Sequence, residues 1–364
     1  MSQRHIVFTG FPGFIGRRLI ARLLNEGNAP QVTCLVQPKF LDQANADLDK
    51  LRQGRSGLKA TAVAGDITDQ KLGLTPEVYE RLAASATEVW HLAAIYDLAV
   101  PYEFAHKVNV KGTKNILAFC GAAKNFEKLV YYSTCYVAGD RLGLIKEDEL
   151  DMGQGFKNNY ESTKFLAEIE IRKAMADGLA AVIIRPAIVV GDSKTGETDK
   201  FDGPYFGMRM IWKLKWLPGG LPLVGPSDAE VNLAPVDYLV DATMALARKK
   251  EAIGGAFQIV DPKPMLARDI YSQLCLWITG RPPLPFSIPA KLFEAMIIGP
   301  VKTWLGAPKQ MVTYFNHKAK YDCAQTLSML NGSGVACPPL KNYLETLYRY
   351  WLTRKDEPGR LAKA

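Results

Sequence analysis

The sequence predicts an α/β fold: a doubly wound parallel sheet of the Rossmann type, with a smaller, discontinuous and mainly helical C-terminal region. Three observations carry that prediction. Residues 1–190 alternate short runs rich in β-branched residues with helical patterns, the signature of strands joined by crossover helices. The strand runs are continuously apolar instead of alternating, as strands buried on both faces must be. A glycine-rich turn joins the first strand to the first helix, where such folds hold a dinucleotide.

The strands are expected at "HIVFTG" (5–10), "QVTCLV" (31–36), "KATAVAGD" (59–66), "EVWHLAA" (88–94), "KLVYYST" (128–134) and "AAVIIRP" (180–186). Helices are expected near 14–26, 76–85, 102–122 and 158–177. Beyond Pro186 the texture changes. "GDSKTGETDKFDGPYF" (191–206) reads as a polar loop, and "LPGGLPLVGPSD" (217–228) is broken by Pro and Gly. "GAFQIVD" (255–261) is one further strand, followed by a helix and then by helical segments with Pro-rich joints. The economical division is a nucleotide-binding domain over 1–190 plus 235–261 and a substrate-binding region over 191–234 plus 262–355. A charged tail at 356–364 is expected to fray.

The composition, 48% hydrophobic and 23% charged over 364 residues, is that of an ordinary globular chain. Six scattered Cys and four dispersed His form neither a disulfide framework nor a metal cluster, so a reducing cytosol and no metal are expected. The N-terminus runs straight into an apolar strand, with no signal-peptide pattern. No run of 18 apolar residues is present to span a bilayer. The net charge of +8 suits an anionic partner: a phosphorylated cofactor, an acyl-CoA, an acidic carrier or a lipid surface. Nothing in the sequence carries a nucleic-acid-binding signature.

"TGFPGFIGRRLI" (9–20) spaces Gly10, Gly13 and Gly16 as GxxGxxG. Glycines there allow a sharp turn, close approach of backbone to a pyrophosphate, and tight helix–strand packing. The helix N-terminus then offers free N–H groups to the phosphates. Phe11, Phe14 and Ile15 share that turn and are expected at the cofactor. An acid normally ends the second strand to hold the ribose hydroxyls of NAD. Here the strand ends "CLVQPK", with Gln37 and Lys39 in its place. Lys39, with Arg17 or Arg18, suits the 2′-phosphate of NADPH, and NADH is the less favoured cofactor. Asp66 and Ile67 end the third strand near the adenine. Ala93, Ala94 and Tyr96 follow the fourth, and Pro186 and Ile188 follow the sixth; all are placed on the cofactor side of the sheet edge.

"YYSTCYVAG" (131–139) sets Ser133 and Thr134 at the same edge. The next helix carries Tyr160 and Lys164 in "NNYESTKFLAE", one turn apart on one face. Thr134, Tyr160 and Lys164 are thereby expected to converge. Reducing a carbonyl requires a proton for the developing alkoxide; a phenol beside an ammonium supplies it, and a hydroxyl polarises the oxygen. Lys164 is expected to lower the Tyr160 pKa and to hold the nicotinamide ribose, and Ser133 lies beside the cofactor. The second such spacing, Tyr314 and Lys318, has no strand-end hydroxyl before it and is read as coincidence. Cys135 and Tyr136 fall at the substrate edge, though no base pairs with Cys135 to make it a nucleophile.

The stretches "TGFPGFIG", "HLAAIYD", "NVKGT", "YSTCYVAG" and "YESTK" resemble the extended short-chain dehydrogenase/reductase superfamily over the first ~260 residues. The resemblance implies a Thr134–Tyr160–Lys164 triad and a site-organising role for Asn109. More narrowly, "HLAAIYD", "RPAIVVGDSKTGETDKFDGPYF" and "VNLAPVDYLVDA" look like the reductase domain of bacterial fatty acyl-CoA reductases, of the male-sterility and thioester-reductase type. That implies NADPH-dependent reduction of a long-chain fatty aldehyde, or of an acyl thioester on CoA or a carrier. The chain holds one such domain, where the bacterial enzymes hold two.

Substrate discrimination is expected in 191–206, with Lys194 or Lys200 toward CoA or carrier phosphates and Tyr205 and Phe206 lining the carbonyl pocket. The apolar stretch 288–306, broken at Gly299-Pro300, is read as core or pocket wall, and as a second reading a peripheral membrane contact. A monomer or homodimer is expected. Two other functions fit the same residues: an extended dehydrogenase acting on a sterol-type hydroxy or keto group or a nucleotide sugar, and a non-catalytic NADP-binding regulatory protein.

Overall fold

A computed structural model describes residues 4–53, 59–96, 100–218, 220–296 and 316–360. Asp97, the Gly299-Pro300 break and Tyr314 lie outside these residues. Seven parallel strands form the central sheet: β1 (His5–Thr9), β2 (Gln31–Val36), β3 (Ala60–Ala64), β4 (Glu88–His91), β5 (Lys128–Tyr132), β6 (Ala181–Pro186) and β7 (Ala256–Ile259). Their order is β7-β6-β5-β4-β1-β2-β3. The order reverses between β1 and β4, which opens a crevice at the strands' C-terminal ends.

Both faces of the sheet are buried, as the unbroken apolar runs require. Ile6, Phe8, Val32 and Trp90 face one cluster, which takes in helices α1 (Phe14–Leu23) and α8 (Val236–Arg248). Val7, Leu35, Val89 and Tyr131 face the other, with α3 (Pro76–Ser85), α5 (Gly112–Ala122) and α6 (Asn159–Ala176). Helix α2 (Leu41–Arg52), between β2 and β3, was not legible in the sequence. Only Ala44 and Leu48 of its 12 residues are buried, too sparse a stripe to register as an amphipathic period. The helix expected over 102–122 forms as α4 (Tyr102–His106), a π turn (Lys107–Lys111) and α5. The π turn carries Asn109.

The second lobe clusters Tyr205, Met208, Ile211, Ile270, Leu274, Leu347 and Trp351. They come from α7 (Pro204–Leu214), α9 (Ala267–Thr279) and a late helix, Leu344–Arg354. Two segments depart from the division expected from sequence. Cys323, Leu330 and their neighbours pack in the sheet's own cluster, so 319–337 returns to the nucleotide-binding domain. Buried Glu147 secures the return by accepting from the amides of Gln258 (2.8 Å) and Gln325 (2.7 Å). The tail docks as far as Arg360: the Phe201 amide donates to the Arg360 carbonyl at 2.7 Å. No helix among the described residues is long and apolar enough to cross a membrane.

Candidate active site

The glycine turn sits at the point where the strand order reverses. Gly10 has φ +95°, and a Cβ there would lie 2.8 Å from the Leu92 Cβ and 3.0 Å from the Ala93 amide, just past β4. A Cβ on Gly13 or Gly16 would meet the Gly10 carbonyl at 2.9 and 2.6 Å. The three glycines are thus required by backbone packed on backbone. Gly13 caps α1 with no side-chain hydrogen bond and no acid in the first turn. Its leading N–H groups are left for an anion, so the turn fits a dinucleotide pyrophosphate.

The helix carrying Tyr160 starts by a local rule. The Asn158 side chain accepts from the Glu161 amide at 3.0 Å, and the Glu161 carboxylate accepts from the Lys157 amide at 3.0 Å. This reciprocal cap fixes Tyr160 in the first turn of α6. Thr134 lies just past β5, with its hydroxyl 3.5 Å from the Pro186 carbonyl. The Thr134 hydroxyl lies beside the Tyr160 phenol. Burial pushes the phenol up, and Thr134 opposes this without reversing it. The phenol is therefore protonated at neutral pH.

Lys164 departs from expectation. Its ammonium donates to the Tyr132 carbonyl at 2.6 Å and the Tyr131 hydroxyl at 3.1 Å, and it stands over the Tyr131 ring. Burial lowers its pKa to about 7, against the favourable charge of Glu168. It is not among the groups that shift Tyr160, so the sequence expectation that Lys164 depresses the phenol pKa is not met here.

Behind the triad lies a buried ionic cluster that the sequence did not reveal. Arg185 donates to Glu168 at 2.6 and 3.1 Å, Arg172 donates to it at 3.0 Å, and the Ser133 hydroxyl donates to it at 2.5 Å. The arginines and hydrogen bonds hold the Glu168 carboxylate down despite its burial. The Ser133 hydroxyl is thereby engaged by Glu168. Cys135 is buried with its thiol on the Arg185 carbonyl at 3.1 Å, and burial pushes the thiol far up; it is an inert core residue and not a substrate contact. Glu168 and Arg185 stand 17 residues apart on different elements, so no local pattern marks them.

The remaining cofactor candidates fall around the crevice. Asn109 holds the segment after β4: its side chain accepts from the Ile95 amide at 2.9 Å and donates to Thr163 at 3.0 Å. The Ala93 amide is bound to Thr9 at 3.2 Å, while Ala94 and Tyr96 are exposed. The Tyr96 ring packs edge-on to Tyr160, with centroids 5.0 Å apart. Gln37 donates to Asp66 at 2.9 Å, joining the ends of β2 and β3. Ile67 is buried against Gly112, and Lys39 is exposed. Phe11 is buried, and Phe14 carries the Arg18 guanidinium at 4.2 Å. Ile15 packs partly buried against the core; Ile188 pairs with Leu233 and faces the second lobe. Arg17, expected at the 2′-phosphate, is bound by Asp199 at 2.6 and 2.5 Å, and Arg18 by Glu197 at 3.4 Å.

On the substrate side, Tyr205 is buried and accepts from the Gly191 amide at 3.2 Å, and Phe206 is also buried. Tyr205 belongs to the second-lobe cluster. Lys194 is exposed in a turn around Asp192. Tyr136 packs on Tyr321. Asp202, which the sequence did not single out, is buried enough to raise its carboxyl to about 6, and it lies within electrostatic range of Tyr96 and Tyr205. Among the described residues no group of His, Cys, Asp and Glu could hold a metal ion.

The family model described as male sterility protein, an NAD-binding domain, matches residues 8–243. The nonribosomal peptide synthetase FrzA of a Cladobotryum species is 29% identical over 291 residues, 76% of this chain and 28% of that protein. The aldehyde reductase lnaA of Aspergillus flavus is 28% identical over 293 residues, 74% of this chain and 27% of that protein. The chain thus spans under a third of the length of these curated relatives. Among solved structures, the terminal R domain of the myxalamid PKS-NRPS pathway superposes with a TM-score of 0.81 at 25% identity, covering 100% of this chain and 93% of that one. Peptide synthetases and aldehyde reductases are the relatives named here, where the motifs alone suggested fatty acyl-CoA reductases.

Proposed function

This chain belongs to the male-sterility-type NAD-binding family of extended short-chain reductases, and from that premise we propose that it reduces an acyl thioester or the corresponding aldehyde with NADPH. The observation that carries the proposal is Thr134 beside Tyr160 at the C-terminal sheet edge, the same edge at which the glycine turn leaves α1 without a side-chain cap. The substrate would be a long-chain acyl group on CoA or a carrier, or the free aldehyde, handled in the cytosol. The similarity to a nonribosomal peptide synthetase supports a carrier arm.

The turn at Gly10–Gly16 would hold the pyrophosphate. The lack of an acid at the end of β2, with exposed Lys39 beyond it, favours the 2′-phosphate of NADPH over NADH. NADPH held there would supply the hydride for the carbonyl carbon. Thr134 donates to the carbonyl oxygen and polarises it. Tyr160, kept protonated by burial, gives its proton to the developing alkoxide. Lys164, seated on Tyr131 and Tyr132, would meet the nicotinamide ribose. Asn109 keeps the segment after β4 in place beneath it. From a thioester the resulting thiohemiacetal collapses to aldehyde and thiol.

NADPH consumption with decanal, a long-chain acyl-CoA and a ketosteroid tests the proposal. Turnover of the first two and not the third is expected. Tight NADPH binding with no turnover of any carbonyl would overturn it in favour of a regulatory protein.

A further inference from the structure

Glycine inside a helix costs about 1 kcal/mol relative to alanine, so it calls for a reason. Gly207 lies inside α7 and is buried, yet among the described residues a Cβ built on it meets nothing within 4 Å. No backbone approach requires it, unlike the glycines of the nucleotide turn. The missing side chain borders an apolar cleft between α7 and α9, about 590 Å³ counted out to its open mouth. Met210, Ile211, Ile270, Leu274 and Phe293 line it with Gly207.

The few polar groups in the wall are already engaged. The Ser227 hydroxyl donates to the Val224 carbonyl at 2.7 Å, the Tyr271 hydroxyl to the Pro222 carbonyl at 3.1 Å, and the Asn316 carbonyl accepts from the Ser227 amide at 3.4 Å. A ligand there finds hydrocarbon contact and little hydrogen bonding, which selects an aliphatic chain over a sugar or a peptide. Pro204 in the wall follows Gly203, where a built Cβ would meet the Ile188 side chain at 3.0 Å. Ile188 lies two residues past Pro186, whose carbonyl is 3.5 Å from the Thr134 hydroxyl. The first turn of α7, which helps to line the cleft, therefore packs on the strand end that adjoins Thr134.

We propose that this cleft receives the hydrocarbon tail of the substrate and that Gly207 sets the chain length it admits. The proposal rests on the carbonyl-reductase reading for the head of the substrate. A side chain at 207 would occupy the room kept for methylenes, each worth about 0.8 kcal/mol when buried.

The test compares wild type, Gly207→Ala and Gly207→Leu with propanal and decanal, and measures the rise in melting temperature caused by decanol. In Gly207→Leu the decanal-to-propanal ratio of kcat/KM should fall about tenfold or more, with Gly207→Ala between it and wild type. Decanol should stabilise wild type and fail to stabilise Gly207→Leu. An unchanged ratio together with unchanged decanol stabilisation would overturn the proposal. The decanol measurement needs no turnover. If wild type reduces neither aldehyde, the reductase reading falls, and loss of decanol stabilisation in Gly207→Leu still reports an aliphatic site.

Discussion

The sheet edge and the α7–α9 cleft use glycine for opposite ends. At Gly10, Gly13 and Gly16 a Cβ has no room, because the Leu92 Cβ or the Gly10 carbonyl lies under 3 Å away. At Gly207 it meets no atom within 4 Å outside its own helix backbone, among the described residues. The first region is filled: hydroxyls, carboxylates and amides hold one another, down to Ser133, Glu168 and Arg185 behind the triad. The second is kept empty by a residue that weakens its own helix. A glycine in a sequence therefore says nothing by itself; what its absent side chain would touch decides whether it serves the backbone or a ligand.

Four substitutions probe that contrast, from the largest effect down. Glu168→Ala should cost about 3–5 kcal/mol in urea unfolding, because it leaves buried Arg185 without its partner. A near-neutral result would mean that the region behind the triad is not held by that cluster. Lys164→Met should relieve a burial cost that depends on pH. The folded-state pKa of about 7 lies below the ordinary 10.5, so the unfolded chain holds more protons between these values and wild-type stability rises with pH across that window. The advantage of Lys164→Met is then full below about pH 7 and shrinks toward 10.5, which melts at a series of pH values would show.

Gly16→Ala forces a Cβ to 2.6 Å from the Gly10 carbonyl. A loss of about 1–3 kcal/mol is expected, together with weakened NADPH binding in a fluorescence titration. Gly207→Ala should go the other way and stabilise the protein by about 0.5–1 kcal/mol, since the methyl meets nothing. Destabilisation there would erase the contrast between the two regions.

The sheet was legible because its signal is local. β1, β2 and β5 fall inside the apolar runs that announced them, and α3 fills the expected 76–85. The Asn158–Glu161 cap and the Tyr160–Lys164 spacing are likewise written in consecutive residues. What escaped depends on contacts across long separations or on the absence of contact. The Glu168–Arg185 pair, the return of 319–337 to the sheet and the docking of Arg360 on 198–201 join elements that no periodicity links. Arg17 and Arg18 read as phosphate ligands in sequence because their partners, Asp199 and Glu197, come from a loop some 180 residues away. Gly207 was invisible for the same reason: an empty volume has no sequence signature.

The proton donor is the point on which the proposed reaction turns. Tyr160→Phe keeps the ring that packs on Tyr96 and removes only the hydroxyl beside Thr134. Decanal-dependent NADPH oxidation measured beside NADPH binding should show turnover abolished and affinity for the cofactor retained. A Tyr160→Phe protein that reduces decanal at the wild-type rate would contradict the assignment of Tyr160 as the acid.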